Sequence, residues 1–249
     1  MSSIKLSKID TRAPADLDKK EIKEKTKALI KDFTDFQNLL YAENKHSILI
    51  VLQGMDGSGK DGVIRNVLTG MNPQGVFVKP FKAPTEEELS RDFLWRVHKH
   101  TPEKGAITVF NRSHYEDIII TRVHKWCDDA LAKKRMQAIN DFERMLLEHN
   151  NTHILKFYLH ISRDEQEERL TERIHNPAKM WKYNAKDMKE AELWDVYQQM
   201  YEECFEECNK PPWTIVPADQ NWYKEYIVAS KLHKLLSDLD MRYPGLKEE

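Results

Sequence analysis

The chain has 249 residues, of which 40% are hydrophobic and 32% are charged, and its formal net charge is −2. A chain of this length can bury a large core, and its near-neutral charge gives nucleic acid or an acidic membrane no overall attraction. No apolar run approaches the ~20 residues that a membrane helix needs. We therefore predict one α/β domain over residues 1–249, with neither a nucleic-acid nor a membrane partner.

The N-terminal part and the cysteines indicate a cytoplasmic protein. Residues 1–20 lack the apolar core of a signal peptide, and three cysteines make a disulfide framework improbable. The spacing of Cys204 and Cys208 could suit a metal, but further ligands are lacking, so buried thiols are expected. Up to about residue 45, we predict a polar leader followed by an amphipathic helix that packs on the domain.

A strand, a glycine-rich turn and a helix follow. Residues 48–52 read ILIVL, which suits a strand buried on both faces, and an apolar stripe begins at Val63 and ends near Gly70. The turn matches G-x-x-x-x-G-K-[ST] except at Asp61, which replaces the hydroxyl residue. The alternative is a tight corner without a ligand, and the flanking strand and helix disfavour it.

Such a turn can hold phosphate. Glycines allow successive N–H groups to point inward at the positive end of the next helix, and Lys60 adds a mobile charge. The predicted phosphate-binding residues are Gly54, Gly57, Ser58, Gly59, Lys60, Asp61 and Gly62.

The next elements lead to a second polar segment. We predict a strand over residues 75–81, a helix over 85–98 that opens with a Thr85–Glu88 capping box, and a buried strand over 106–110. An amide, a guanidinium and two carboxylates then follow within seven positions, on Asn111, Arg112, Glu116 and Asp117. Arginine pairs with phosphate and carboxylates hold Mg²⁺ or orient a nucleophile, so these residues suit phosphoryl transfer. Alternatively, the two acidic residues only complement a helix dipole.

Helical patterns then run to about residue 148, and a strand is predicted over 154–161. A helix capped by Ser162 carries Arg169 and Arg173 on one face, and a polar excursion near residues 176–184 follows it. Neighbouring glutamates could neutralise these arginines on an ordinary surface. In a chain with a phosphate loop we favour a mobile lid, over about residues 163–190, that closes on phosphates.

We predict further helix to about residue 208, then a strand over residues 213–216 and a final helix. Strands separated by helices imply a parallel sheet covered on both faces, and ligands bind such sheets at the carboxyl ends of the strands. The three polar segments all follow predicted strand ends.

Four segments together resemble the family-2 polyphosphate kinases: the loop at residues 54–62, the block at 110–117, the segment at 175–183 with 192–194, and the tail at 212–219. The resemblance covers nearly the whole chain from about Asp16. It implies a P-loop fold similar to thymidylate kinase with a helical lid. It also implies transfer of terminal phosphate between inorganic polyphosphate and nucleotides, with Mg²⁺ or alternatively Mn²⁺.

The resemblance assigns roles to individual residues. Asp56 helps to hold the metal and the acceptor phosphate, which accounts for Asp61 in place of Ser or Thr. Lys60 and Arg112 bind the phosphates being exchanged, while Arg169 and Arg173 close from the lid.

A second metal ligand, Asp117, and a nucleotide-site residue, Arg122, complete the predicted site. Some family members carry aspartate at the position of Asn111. With asparagine there, the segment at residues 111–117 resembles the branch of the family that accepts nucleoside monophosphates as well as diphosphates. The resemblance also implies a homo-oligomer, a dimer or a tetramer.

The predicted function is polyphosphate kinase activity on adenine or guanine nucleotides, reversible, from ADP to ATP and also from AMP to ADP. An ATP-dependent nucleoside monophosphate kinase is the alternative on the same scaffold. Basic residues outside the motifs favour a polymeric anion: Lys79, Lys82, Arg122 and Lys125. A GTP-dependent switch would need an N-K-x-D element, and neither Asn44-Lys45 nor Asn209-Lys210 continues as one.

Overall fold

A computed structural model describes residues 4–246 of the chain. Its centre is a parallel sheet of five strands in the order β2-β3-β1-β4-β5. The strands are β1 (Ser47–Gln53), β2 (Val76–Pro80), β3 (Ile107–Asn111), β4 (Thr152–His160) and β5 (Trp213–Pro217). All seven residues of β1 are buried, as its apolar sequence predicts. The parallel sheet inferred from the alternation of strands and helices is confirmed.

Ten α-helices connect and cover these strands in the described part of the chain. They are α1 (Lys19–Glu43), α2 (Lys60–Val67), α3 (Glu86–Leu89), α4 (Trp95–His98), α5 (Ile120–Val123), α6 (Asp129–Asn150), α7 (Arg163–His175), α8 (Ala185–Glu192), α9 (Trp194–Glu207) and α10 (Asn221–Asp238). Short 3-10 helices occur at Leu6–Lys8, Pro73–Gly75, His114–Asp117 and Met180–Lys182. Within residues 4–246 no helix is both long enough and apolar enough to cross a membrane.

Each face of the sheet carries its own hydrophobic cluster. On one face, α1, α2 and α10 bury residues such as Phe33, Val63 and Leu232. On the other face, α6 and α9 bury residues such as Phe142 and Phe205. Helices on both faces explain why the strands read as continuous apolar runs rather than as alternating ones.

The strand order determines where a ligand can bind. From β1 the chain passes through α2 to β2 and β3 on one side, and it then crosses to β4 and β5 on the other. The carboxyl end of β1 is therefore the point where the direction of winding reverses, and ligands of open parallel sheets bind at such a point.

Two predicted helices are interrupted in the structure. The predicted helix over residues 85–98 is split into α3 and α4, although the Thr85–Glu88 capping box is present. Ser90 Oγ donates to the Glu87 carbonyl, and Asp92 Oδ1 accepts from the Leu94 amide at 3.0 Å, so side chains replace helical backbone hydrogen bonds there. The helix predicted to end near residue 208 is likewise divided into α8 and α9 at Leu193.

The cysteines behave as predicted. Cys127, Cys204 and Cys208 are buried free thiols.

Candidate active site

The glycine-rich turn forms a loop between β1 and α2. Gly59 has a φ of +91° at the N-cap of α2, and Gly54 has a φ of +149°, where a Cβ would lie 2.9 Å from the Leu159 carbonyl oxygen. Both positions therefore need glycine. The loop carries its residues directly from the carboxyl end of β1 to the positive end of α2.

Lys60, the first residue of α2, folds back over this loop. Its buried Nζ donates to the Gly54 carbonyl at 2.6 Å and to the Met55 carbonyl at 3.2 Å. Burial and the neighbouring Arg112 lower the pKa of Lys60 to about 8. The ammonium group is therefore held at the loop in a position to meet an anion.

Arg112 lies at the carboxyl end of β3 and reaches the loop. Its backbone has a φ of +62°, and its amide donates to the Leu52 carbonyl at 3.0 Å. Its guanidinium donates to Asp56 Oδ1 at 2.5 Å and to Glu116 Oε2 at 3.1 Å. These contacts join the loop to the segment after β3, as the sequence predicts for strand ends of one parallel sheet.

Charged neighbours shift the pKa values of Asp56 and Arg112. Burial raises the pKa of Asp56, but Arg112 and Lys60 outweigh it and hold that pKa below its ordinary value. Glu116, opposed by burial, raises the pKa of Arg112. Asp56 is therefore ionised at neutral pH, and Arg112 keeps its charge.

A buried polar network supports the segment after β3. Tyr115 donates to Glu143 Oε1 at 2.8 Å, and Lys156 Nζ donates to Glu143 Oε2 at 2.7 Å and to the Tyr115 hydroxyl at 2.9 Å. His114 lies 3.2 Å from the same Glu143 carboxylate. A buried hydrogen-bond network of this kind restricts geometry, so it fixes the backbone that carries Arg112.

Arg169 on α7 contacts the loop directly. Its guanidinium donates to the carbonyls of Gly57, Ala218 and Asp219 at 2.9, 3.0 and 2.7 Å, and to Glu165 Oε1 at 2.8 Å. These contacts tie α7 to both the loop and the segment after β5. Arg169 thus has a structural anchor that a freely moving lid side chain would lack.

Arg173 lies one turn further along α7. Its Nη1 donates to Asp187 Oδ2 on α8 at 2.6 Å. Burial and the charge of Asp56 raise the pKa of Asp187. Asp56 and Asp187 are each paired with an arginine that lines the cavity, Arg112 and Arg173 respectively.

Asp61, which replaces the usual Ser or Thr of the loop, contacts the segment after α7. It accepts from Asn111 Nδ2 at 2.9 Å and from Lys182 Nζ at 3.0 Å. Burial raises the pKa of Asp61, but these two hydrogen bonds outweigh it and lower the pKa. Asp61 thus connects the first turn of α2 to β3 and to the 3-10 helix at Met180–Lys182.

These elements enclose a cavity of about 560 Å³. Seven of its lining residues are lysine or arginine, and three are aspartate or glutamate. The cations are Lys60, Lys82, Arg112, Arg169, Arg173, Lys179 and Lys182. In a chain with a net charge of −2, this local excess of positive charge marks the cavity as a site for a polyanion.

Several predicted residues lie outside this cavity lining. Asp117 Oδ2 lies 3.6 Å from Arg96, and burial raises the pKa of Asp117. Arg122 pairs with Asp129 and Glu203 at the surface of a separate groove. The roles predicted for Asp117 in metal binding and for Arg122 in nucleotide binding stay predictions, without support from this geometry.

Other residues at the site were not identified from the sequence. Asp187 carries no recognisable local pattern. Gln166 and Lys224, however, lie on the buried faces of α7 and α10, four residues before Leu170 and Val228 respectively. A polar residue within an apolar stripe is the signal that could have identified both.

The carboxylates of the cavity suit a magnesium ion. Among residues 4–246 no cluster of three or more His, Cys, Asp or Glu side chains could hold a metal by itself. Mg²⁺ commonly binds through one or two carboxylates together with substrate phosphates and water, and Asp56, which lines the cavity, supplies such a carboxylate. The residues present therefore fit a Mg²⁺ ion that arrives with its phosphate ligand.

Comparisons with known proteins show the family of this chain. The family model for polyphosphate kinase 2 matches residues 16–244. An AMP/ADP-polyphosphate phosphotransferase from Meiothermus ruber is 50% identical over 210 residues, which cover 84% of this chain and 78% of that protein. An ADP-polyphosphate phosphotransferase from Rhodopseudomonas palustris is 43% identical over 229 residues, with 86% and 79% covered.

The fold gives the same result. The crystal structure of polyphosphate kinase 2 from Arthrobacter aurescens superimposes with a TM-score of 0.95 at 39% identity, and the match covers 100% of this chain and 90% of that chain. The P-loop kinase fold expected from the sequence is confirmed. The chain belongs to the polyphosphate kinase 2 family.

Proposed function

We propose that this protein transfers the terminal phosphate of inorganic polyphosphate to nucleotides, reversibly, converting ADP to ATP and AMP to ADP. The observation that carries the proposal is the cavity at the loop, in which seven cationic side chains face three acidic ones. The cavity is larger than a single phosphate needs, and its cations extend from Lys60 at the loop to Lys82, Lys179 and Lys182. A polymeric anion can contact such an array at several phosphates at once.

The reaction needs no covalent enzyme intermediate. An oxygen of the nucleotide's terminal phosphate attacks the terminal phosphorus of polyphosphate in line. A new P–O bond forms as the bridging P–O bond breaks, and the polymer leaves one phosphate shorter, with the electron pair on its oxygen. Lys60 and Arg112 stabilise the negative charge on the transferring group. Arg173 adds charge from the lid as it closes and excludes water.

We propose Mg²⁺ as the metal, with Mn²⁺ as an alternative. Asp56 would hold it with Asp187, and the ion would neutralise phosphate charge and help to align the reacting groups. The sequence also suggests Asp117 as a ligand, although its carboxylate faces Arg96. On substrate binding, Arg112 and Arg173 would exchange these carboxylates for phosphate oxygens, since guanidinium binds both in the same bidentate manner.

The nucleotide is the remaining part of the proposal. Asn111, which takes the place of aspartate in part of the family, lines the cavity and donates a hydrogen bond to Asp61. We propose that adenine and guanine nucleotides are accepted and that the neutral amide leaves room for a monophosphate.

We propose a cytoplasmic location, and the three buried free thiols are consistent with a reducing cytoplasm. We also propose a homo-oligomer, which light scattering on purified protein would test.

An endpoint assay tests the proposed function. AMP and ADP are each incubated with Mg²⁺ and either polyphosphate or ATP as donor, and the products are separated by chromatography. We expect ATP from ADP with polyphosphate, and ADP from AMP with polyphosphate. If ATP phosphorylates AMP while polyphosphate yields no product with any nucleotide, the protein is an ordinary monophosphate kinase and the proposal is wrong.

A further inference from the structure

The outer side of the phosphate loop is held by side chains from two helices. The carbonyl oxygens of Asp56, Gly57 and Ser58 accept hydrogen bonds in turn from Gln166 Nε2 at 2.8 Å, Arg169 Nη1 at 2.9 Å and Lys224 Nζ at 2.9 Å. In a planar trans peptide, the C=O and the following N–H point in opposite directions. Holding the Ser58 carbonyl outward therefore directs the N–H of Gly59 inward, and Gly59 lines the cavity.

Lys224 is the innermost of these donors. It comes from the first turn of α10 and is 1% exposed. Its Nζ also donates to Asn221 Oδ1 at 2.9 Å. A Cβ at Gly59 would lie 2.2 Å from this Nζ, so the ammonium packs directly behind the backbone of the loop. Lys224 touches the loop from the side opposite the cavity.

A cation at this position is unfavourable for stability. Both hydrogen-bond partners of Lys224 are neutral oxygens, and the salt bridges of residues 4–246 do not include it. Burial, followed by the charge of Arg169, lowers the pKa of Lys224 to about 7. The following positions on the same helix face, Val228 and Leu232, are apolar. An apolar side chain at position 224 would continue this stripe without the cost of a desolvated charge.

We propose that Lys224 is a positioning residue for phosphate binding. It holds the Ser58 carbonyl outward so that the Gly59 N–H points at the bound phosphate. This inference rests on one part of the proposed function, namely that the loop binds phosphate. A purely structural lysine would stabilise the fold, whereas this one costs stability and improves the anion site.

The test compares Lys224→Met, Lys224→Arg and the control Lys231→Met by isothermal calorimetry with inorganic triphosphate and Mg²⁺. Lys231 lies on the same helix and is exposed, so its variant makes the same chemical change away from the loop. We expect Lys224→Met to weaken binding about tenfold or more, because a charge-assisted hydrogen bond behind the loop is lost. Lys224→Arg should bind within about threefold of wild type, since guanidinium retains the charge and the donors.

Thermal unfolding gives the second readout. Tm of Lys224→Met should stay within about 3 °C of wild type or rise, because removal of an unpaired buried charge offsets the lost hydrogen bond. If Lys224→Met does not fold, Lys224→Leu, which likewise lacks a donor, takes its place with the same affinity threshold.

Each outcome decides the inference. The inference is overturned if Lys224→Met, or Lys224→Leu in its place, binds triphosphate as tightly as the Lys231→Met control. It is also overturned if Tm falls strongly while the affinity stays unchanged. Wild-type protein that does not bind triphosphate overturns both this inference and the proposed function. Wild-type protein that binds triphosphate but transfers no phosphate from polyphosphate contradicts only the proposed function.

Discussion

Lys182 of the lid donates a hydrogen bond to the Asp61 carboxylate of α2 at 3.0 Å. The Asp61 side chain is 66% exposed and that of Lys182 is 35% exposed, so the pair is weak enough to exchange for a stronger partner. A polyphosphate in the cavity offers Lys182 such a partner. This relationship leads to two substitutions with opposite expected effects.

Lys182→Ala should raise KM for polyphosphate about tenfold, since it removes one charged contact from the cavity. Asp61→Asn should lower KM for polyphosphate, because Lys182 no longer has a competing carboxylate. Lys186→Ala is the matched control, as Lys186 lies on the same lid but does not line the cavity. Steady-state kinetics with varied polyphosphate measure all three, and a rise in KM for Asp61→Asn would contradict the exchange.

Lys60→Ala should lower kcat by a factor of about 100 or more, because the loop cation stabilises the transferring phosphoryl group by about 3 kcal/mol. Circular dichroism should show that the variant remains folded. Wild-type-like turnover in folded Lys60→Ala would contradict the assignment of the phosphate loop.

The lowered pKa of Lys60 predicts a pH dependence. Because this pKa is about 8 in the folded protein, the cation is present below pH 8 and is lost as the pH rises above it. We therefore expect kcat/KM for polyphosphate to fall between pH 8 and pH 9. Lys60→Arg keeps its charge in this range, so its profile should lack the fall. A wild-type profile that is flat to pH 9.5 would contradict the prediction.

Asp56→Asn and Asp187→Asn should each raise the Mg²⁺ concentration for half-maximal activity about tenfold, since Asp56 lines the cavity and Asp187 is paired with Arg173, which lines it. Asp117→Asn should change this Mg²⁺ concentration much less, because the Asp117 carboxylate lies beside Arg96. Magnesium titrations at fixed polyphosphate distinguish the three variants. An equal shift in Asp117→Asn would instead support the ligand set predicted from the sequence.

The two arginines of α7 should differ. Arg173→Ala should lower kcat more than it raises KM for nucleotide, because lid contacts act chiefly in the transition state. Arg169→Ala should also lower Tm by several degrees, since it removes hydrogen bonds to three backbone carbonyls. Kinetics and thermal unfolding of both variants test this contrast. Equal values of Tm in the two variants would show that Arg169 does not anchor the loop.

Added salt should weaken polyphosphate binding more steeply than nucleotide binding. A long polyanion contacts more cations and releases more counterions than a compact nucleotide does. KM for each substrate, measured over a series of NaCl concentrations, should therefore show a steeper slope for polyphosphate. Equal slopes would indicate that polyphosphate contacts no more cationic side chains than the nucleotide does.

Local sequence patterns were sufficient for most of the fold and for the centre of the site. The apolar run at residues 48–52, the glycines of the loop and Lys60 are adjacent in the chain, so their structure depends on short-range geometry. The same holds for Arg112, which follows a strand directly. The interruption of the helix near Ser90 was not predicted, because it depends on competition between side-chain and backbone hydrogen bonds.

The sequence by itself determined the parallel α/β architecture, the phosphate loop and the family resemblance, because these follow from periodicity and from motifs of neighbouring residues. Tertiary structure decided which distant groups meet at the loop. Gln166 and Lys224 reach it from helices more than 100 residues away in the chain. Arg122 and Asp117, though close to Arg112 in sequence, point to other partners. The packing of α7, α8 and α10 sets these contacts, and no local pattern encodes the direction of a side chain toward an element so far along the chain.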